Sequence, residues 1–140
     1  MIKNIYIKYK EIINYLIFGI LTTIISLLTY YLLVYSILNP NKPIQLQLAN
    51  IISWITCVTF AYITNRIYVF NSKNKYIIKE IIKFYSSRLS TLFLDMIFMY
   101  IFVTKLNLND KLIKIIIQIL IIILNYILSK ILVFKSKENQ

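Results

Sequence analysis

Histidine is absent from the chain, and cysteine and glycine each occur once in 140 residues, with two prolines. Without histidine, the commonest general base and metal ligand is missing. A lone Cys57 forms no disulfide framework and no thiol or zinc motif. Only five residues are acidic, against sixteen Lys and Arg, so no carboxylate pair is available inside the apolar segments for acid–base work. With no buried nucleophile–base pair either, the sequence reads as a non-enzyme that needs no cofactor and no metal.

What is present in quantity is apolar. The hydrophobic fraction is 59%, more than a domain this small can hide from water. The apolar residues fall in runs of about 20 or more, the length that crosses a hydrocarbon core of about 30 Å as a helix. They are roughly Ile12–Leu38, Leu46–Phe70, Phe84–Lys105 and Leu112–Phe134. The expectation is an all-α integral membrane four-helix bundle, one membrane domain over residues 1–140. Asn39-Pro40-Asn41-Lys42-Pro43 is a turn signal between the first two runs. The stretch from Ile12 to Leu38 is too long for a signal-peptide core and no cleavage-like site follows, so it reads as a retained first helix.

The net charge of +11 suggests nucleic acid until the positions are considered. The cations gather at the ends of apolar runs rather than along an amphipathic face, which excludes that partner. Twelve of the sixteen lie on the side of the termini and the central connection, and Lys42, Lys105, Lys111 and Lys114 lie on the other. The positive-inside rule then places both termini in the cytoplasm.

The two halves resemble each other. Lys10-Glu11-Ile12-Ile13-Asn14-Tyr15 recurs as Lys79-Glu80-Ile81-Ile82-Lys83-Phe84, and Asn65-Arg66-Ile67-Tyr68-Val69-Phe70-Asn71-Ser72-Lys73 as Ser129-Lys130-Ile131-Leu132-Val133-Phe134-Lys135-Ser136-Lys137. Repeats over about 10–73 and 79–137, each of two helices, enter the membrane in the same direction. A pseudo-twofold bundle of this kind has a seam between its halves, where polar residues would be expected to act.

Asp95 is read as the sole buried carboxylate, near the bilayer midplane, either as a structural helix–helix bond or in substrate or proton coupling. Asn125, at similar depth, is its simplest hydrogen-bond partner. Gln118, Asn125 and Ser129 form a polar stripe on the fourth helix that either glues helices or lines a path. Ser53, Cys57, Ala61 and Asn65 recur every four residues on the second helix, a spacing suited to close packing. Arg66, Arg88 and Lys130 lie about one turn inside the cytoplasmic boundary. Alone each could snorkel to the interface, but together they suit an anionic lipid phosphate. Trp54, Tyr62, Tyr68 and Tyr126 fit an interfacial aromatic belt.

These motifs resemble those of the GtrA-like family, small four-helix membrane proteins of bacterial cell-surface glycosylation. The resemblance is carried by Phe60-Ala61-Tyr62-Ile63-Thr64-Asn65-Arg66-Ile67-Tyr68-Val69-Phe70 and Asn125-Tyr126-Ile127-Leu128-Ser129-Lys130-Ile131-Leu132-Val133-Phe134, with Gly19 kept in the first helix. The family's arginine there is replaced by Asn14 and its acid by Ser26. The resemblance implies translocation of an undecaprenyl-phosphate-linked monosaccharide across the bacterial cytoplasmic membrane, for surface polysaccharide or teichoic acid glycosylation. Arg66, Arg88 and Lys130 would capture the phosphate, and Asp95, Asn125, Gln118 and Asn65 would line the route. It also implies a membrane glycosyltransferase as partner, and a bundle this thin leaves room for a homodimer around the headgroup. The alternatives are a non-transporting protein that recruits or stabilises a glycosyltransferase, and a small multidrug or cation exporter, which would want an acid in the first helix.

Overall fold

In hydrocarbon no water satisfies a peptide group, so each span must close its own hydrogen bonds as a helix. The computed structural model describes residues 1–39 and 41–134, excluding the side chains of 110, 111 and 114. Pro40 of the expected turn and Lys135-Ser136-Lys137 of the repeated ending lie outside the described residues, as do the side chains of Lys111 and Lys114. The described residues form four helices and no strand. All four are long and apolar enough to cross a membrane, and the chain is a membrane protein.

The helices are α1 (Ile2–Ser36), α2 (Pro43–Val69), α3 (Ile77–Lys105) and α4 (Asp110–Leu128, prolonged by Ser129–Phe134). α1 and α3 begin before the apolar runs that mark them. The run defines only the part that crosses lipid, while Lys and Glu in the polar flank are good helix formers and carry the helix into the interface. In α1 the continuation is broken at Tyr9, whose φ of −111° and ψ of 16° are not helical. The break separates Ile2–Lys8 from the span.

The chain divides into two compact units, Met1–Ser72 and Lys73–Gln140. In the first, α1 and α2 pack as a hairpin. Its tight connection is built by asparagine: Asn39 Oδ1 accepts from the Asn41 amide at 3.0 Å, and the Asn39 amide donates to Gln45 Oε1 at 2.6 Å. Pro43 at the first turn of α2 has no amide to leave unsatisfied there. The buried face of α2 carries Ala49, Ser53, Ala61 and Asn65. Small side chains let backbones approach, and in lipid that dispersion gain replaces the hydrophobic drive that water would supply. The packing expectation for this four-residue spacing holds for three of its members, and Cys57 is half-buried. Tyr62 is also buried, not part of an interfacial belt.

In the second unit α3 packs on α4. Glu80, Phe84, Ser87 and Thr91 form the buried face of α3, at the spacing of one helical stripe. Ile117, Ile121, Ser129 and Val133 are buried on α4. Large apolar side chains elsewhere, such as Ile20, Leu27, Ile51 and Ile119, are exposed on their helices, as a lipid-facing surface requires.

Three helices end in a widened, π-type turn: Asn65–Val69, Tyr100–Lys105 and Ser129–Phe134. In the first, the Phe70 amide reaches the Asn65 carbonyl at 2.9 Å and the Ser72 amide reaches Arg66 at 2.8 Å. In the second, Leu106 reaches Ile101 and Leu108 reaches Phe102, both at 3.1 Å. Each of these two turns is closed by an asparagine with positive φ, Asn71 at 46° and Asn107 at 53°. Asparagine tolerates that left-handed conformation, and a β-branched residue does not. Asn71→Val is therefore expected to cost about 1–2 kcal/mol, while Asn71→Gly should be nearly neutral. Unfolding in mixed detergent micelles, followed by circular dichroism, measures both; equal stability of Asn71→Val would refute the left-handed cap.

Candidate functional site

A serine or threonine inside a membrane helix can satisfy its hydroxyl on its own backbone, three or four residues back. Most here do. Thr22 donates to Phe18 at 2.7 Å, Thr29 to Ile25 at 2.8 Å and Thr59 to Ile55 at 2.7 Å. The buried hydroxyls of Ser53, Thr64 and Ser87 do the same toward Asn50, Phe60 and Phe84. Polar groups that depart from this pattern are the ones to examine, because an unmade hydrogen bond in an apolar place is costly.

In the first unit the departures gather where α2 widens. Asn65, the first residue of that turn, is 3% exposed, and its Oδ1 has no partner. Nearby Asn14 Nδ2 donates to the Tyr68 carbonyl at 3.1 Å. The Phe18 ring stacks on Tyr68, with centroids 5.1 Å apart. Asn14 stands where the resemblance leads one to expect arginine, and it serves here as a bond between α1 and α2. Tyr15 is buried beside it, and Arg66 is half-buried. Gly19 faces open space: a Cβ there would meet nothing within 4 Å.

The second unit repeats the arrangement with different chemistry. Ser129, at the same point of the repeated motif as Asn65, is fully buried, and its Oγ has no partner. Thr91 Oγ1 donates to Asn125 Oδ1 at 2.8 Å and also lies 3.0 Å from the Arg88 carbonyl. Arg88 is half-buried, with its guanidinium 4.8 Å from the centroid of the Phe84 ring. Phe84 is itself buried against Phe134, 6.1 Å between centroids. Arg88 Nε is buried without a hydrogen-bond partner. Lys130 Nζ lies 3.4 Å from Tyr126 Oη and 5.6 Å from that ring's centroid, so Tyr126 holds a cation within the hairpin.

Two sequence expectations need correction. Asp95 is only half-buried, ten residues or about 15 Å from the end of α3 at Lys105, and it is not the sole buried carboxylate. Glu80 is, at 1% exposed, the more deeply buried acid. Hydropathy does not mark it, because α3 begins seven residues before its apolar run and so carries a flanking acid into the packed stripe. Asn125 pairs across the hairpin with Thr91, one turn before Asp95. Gln118 is exposed, unlike Ser129 on the same stripe. The signal for Ser129 was its alignment with Asn65. Among the described residues no three His, Cys, Asp or Glu come together to hold a metal.

Two helical hairpins, with spans long enough for lipid and polar groups buried near one end of each, define a small polytopic membrane protein. Residues 14–134 match the family described as GtrA/DPMS, transmembrane domain, and the chain belongs to it. It is 38% identical to the uncharacterized membrane protein YwcD of Bacillus subtilis (strain 168), over 90% of this chain and 98% of that one. It is 35% identical to the cell wall teichoic acid glycosylation protein GtcA of Listeria monocytogenes serovar 1/2a, over 94% of this chain and 89% of that one. Against the protein of the same name from Listeria innocua it is 34% identical, over 91% and 87%. No solved structure matches the chain.

The Thr91–Asn125 bond links α3 and α4 inside their apolar stretch, and it can be isolated by a double-mutant cycle. Thr91→Val, Asn125→Leu and the double variant are expected to give a coupling energy of about 0.5–2 kcal/mol. Strict additivity in detergent unfolding would mean that the two side chains do not bond.

Proposed function

We propose that the chain translocates an undecaprenyl-phosphate-linked monosaccharide from the inner to the outer leaflet of a bacterial cytoplasmic membrane, for glycosylation of a cell-surface polymer such as teichoic acid. The family and the relatives named for teichoic acid glycosylation support the pathway. The observation that carries transport is the set of buried, unpartnered polar atoms on Asn65, Arg88 and Ser129 within apolar helices. A helix pair that only filled space would have no use for them.

The difficulty in moving such a lipid is its head. A phosphate and a ring of hydroxyls cannot cross hydrocarbon unaided. In this reading the charge bias puts both termini and the connection between the units on the cytoplasmic side, so Arg66 of the first unit and Arg88 and Lys130 of the second stand at the entry level. They attract the phosphate. Asn65 in the first unit, and Asp95, Asn125 and Gln118 in the second, offer hydrogen bonds to the hydroxyls as the head moves.

Proteoliposomes holding the purified protein and a labelled undecaprenyl-phosphate sugar test this. An impermeant reagent reports how fast the sugar appears on the far leaflet. Exposure is expected to depend on the protein and to slow roughly tenfold in Arg66→Ala and in Asp95→Asn. Exposure no faster than in empty liposomes, with folded protein, would overturn transport and favour a protein that supports a glycosyltransferase.

A further inference from the structure

Of the buried serines and threonines among the described residues, Ser53, Thr64 and Ser87 donate to a carbonyl of their own helix, and Thr91 donates to Asn125 across the hairpin. Ser129 does neither, although it is completely buried. It opens the widened turn at the end of α4. The second exception is Arg88, a guanidinium whose Nε is buried without a hydrogen-bond partner and which lies against the face of Phe84. An arginine has five donors and no acceptor, so a ring face leaves most of its capacity unused.

These two exceptions stand at one level of the same hairpin. α3 and α4 run antiparallel, and two contacts fix their register: Thr91 with Asn125 toward the middle, and Phe84 with Phe134 toward the end. Arg88 lies between Thr91 and Phe84, and Ser129 lies between Asn125 and Phe134. The acids of α3 that flank Arg88 are half-buried Asp95, seven residues on, and buried Glu80, eight residues back, each about two turns or 10–12 Å of rise away. Ser129 and Arg88 both bring hydrogen-bond donors to this level, and what two donors there lack is an acceptor.

We propose that Arg88 and Ser129 form a phosphate-binding subsite in the second unit, in which Arg88 rests on Phe84 until the anion arrives. It deepens the translocation reading and rests on it for the lipid-borne source of the phosphate. In the resting state the guanidinium lies on Phe84, at the level of the buried Ser129 hydroxyl. A phosphate oxygen draws it off the ring, because paired charge-assisted hydrogen bonds outweigh a cation–π contact. Ser129 Oγ, at the same level, donates to the phosphate as a second partner. The first unit has no equivalent: Gly19 occupies the position that Arg88 holds in the repeat, and the orphan atom of Asn65 is an acceptor. The subsite that holds the phosphate therefore belongs to the second unit, and Arg66 of the first helps only to attract it.

The test measures binding by the full-length protein in detergent micelles, separately from transport. The probes are undecaprenyl phosphate, neutral undecaprenol and inorganic phosphate, read by thermal stabilisation and native mass spectrometry. Undecaprenyl phosphate should stabilise the wild type and undecaprenol should not. Inorganic phosphate that protects as well as the lipid would assign the subsite to a free anion; protection by the lipid alone assigns it to a headgroup. Ser129→Ala is expected to weaken phosphate binding about fivefold while leaving the ligand-free melting temperature unchanged or higher, since its hydroxyl has no partner to lose. Arg88→Lys, which keeps the charge but loses the planar fork, should weaken it about tenfold. Unchanged affinity in both variants, or a ligand-free destabilisation by Ser129→Ala that accounts for its binding loss, overturns the subsite. Binding that depends on both residues in a protein that does not translocate would leave the subsite standing and remove the transport reading; transport unaffected by both would do the reverse.

Discussion

Hydrocarbon offers no hydrogen bonds, and that constraint organises this molecule. It forces the backbone into four long helices, and it makes the hydroxyls of Thr22, Thr29 and Thr59 bond back to their own helices. It also makes every exception informative. In water an unpartnered serine would be unremarkable, because solvent would satisfy it. In a packed hairpin surrounded by lipid, Ser129 and Asn65 can be satisfied only by protein or by something that enters.

The repeat multiplies that constraint by two while varying its chemistry. Both units pack an aromatic residue near the start of the first helix, Tyr15 and Phe84, and both widen the last turn of the second helix beginning at a buried polar residue. On this shared frame one unit places an amide and a glycine, and the other a hydroxyl and an arginine. Two helical hairpins thus give two polar environments of different character. Lipid-linked sugars also have two unlike polar parts, an anionic phosphate and neutral hydroxyls.

Much of this was legible in the sequence, for simple reasons. Apolar runs longer than a bilayer is thick can hardly be anything but spans. The repeated motifs marked Asn65 and, less openly, Ser129. What could not be read were features decided by side-chain direction and by the ends of helices. Asn125 and Asp95 have similar depth, yet a hydrogen bond is decided by azimuth, and Thr91 faces Asn125. Glu80 looked like part of a polar connection because hydropathy marks where lipid begins, not where a helix begins. The widened turns have no compositional signature at all beyond the asparagines that close two of them.

Those turns also solve a problem of phase. Residues spaced by four advance about 40° around an α-helix at each step, so the line through Ser53, Cys57, Ala61 and Asn65 gradually leaves the face where it began. Continued as regular helix, it would have carried Val69 further off. A turn that bonds five residues back winds more slowly and drifts the other way. It returns Val69 in α2, and Val133 in α4, to the packed side, where both are buried. The widening lets a straight four-residue pattern stay on a curved surface to its last residue, and it concentrates the correction at one place in each hairpin, the turn that starts at Asn65 or Ser129.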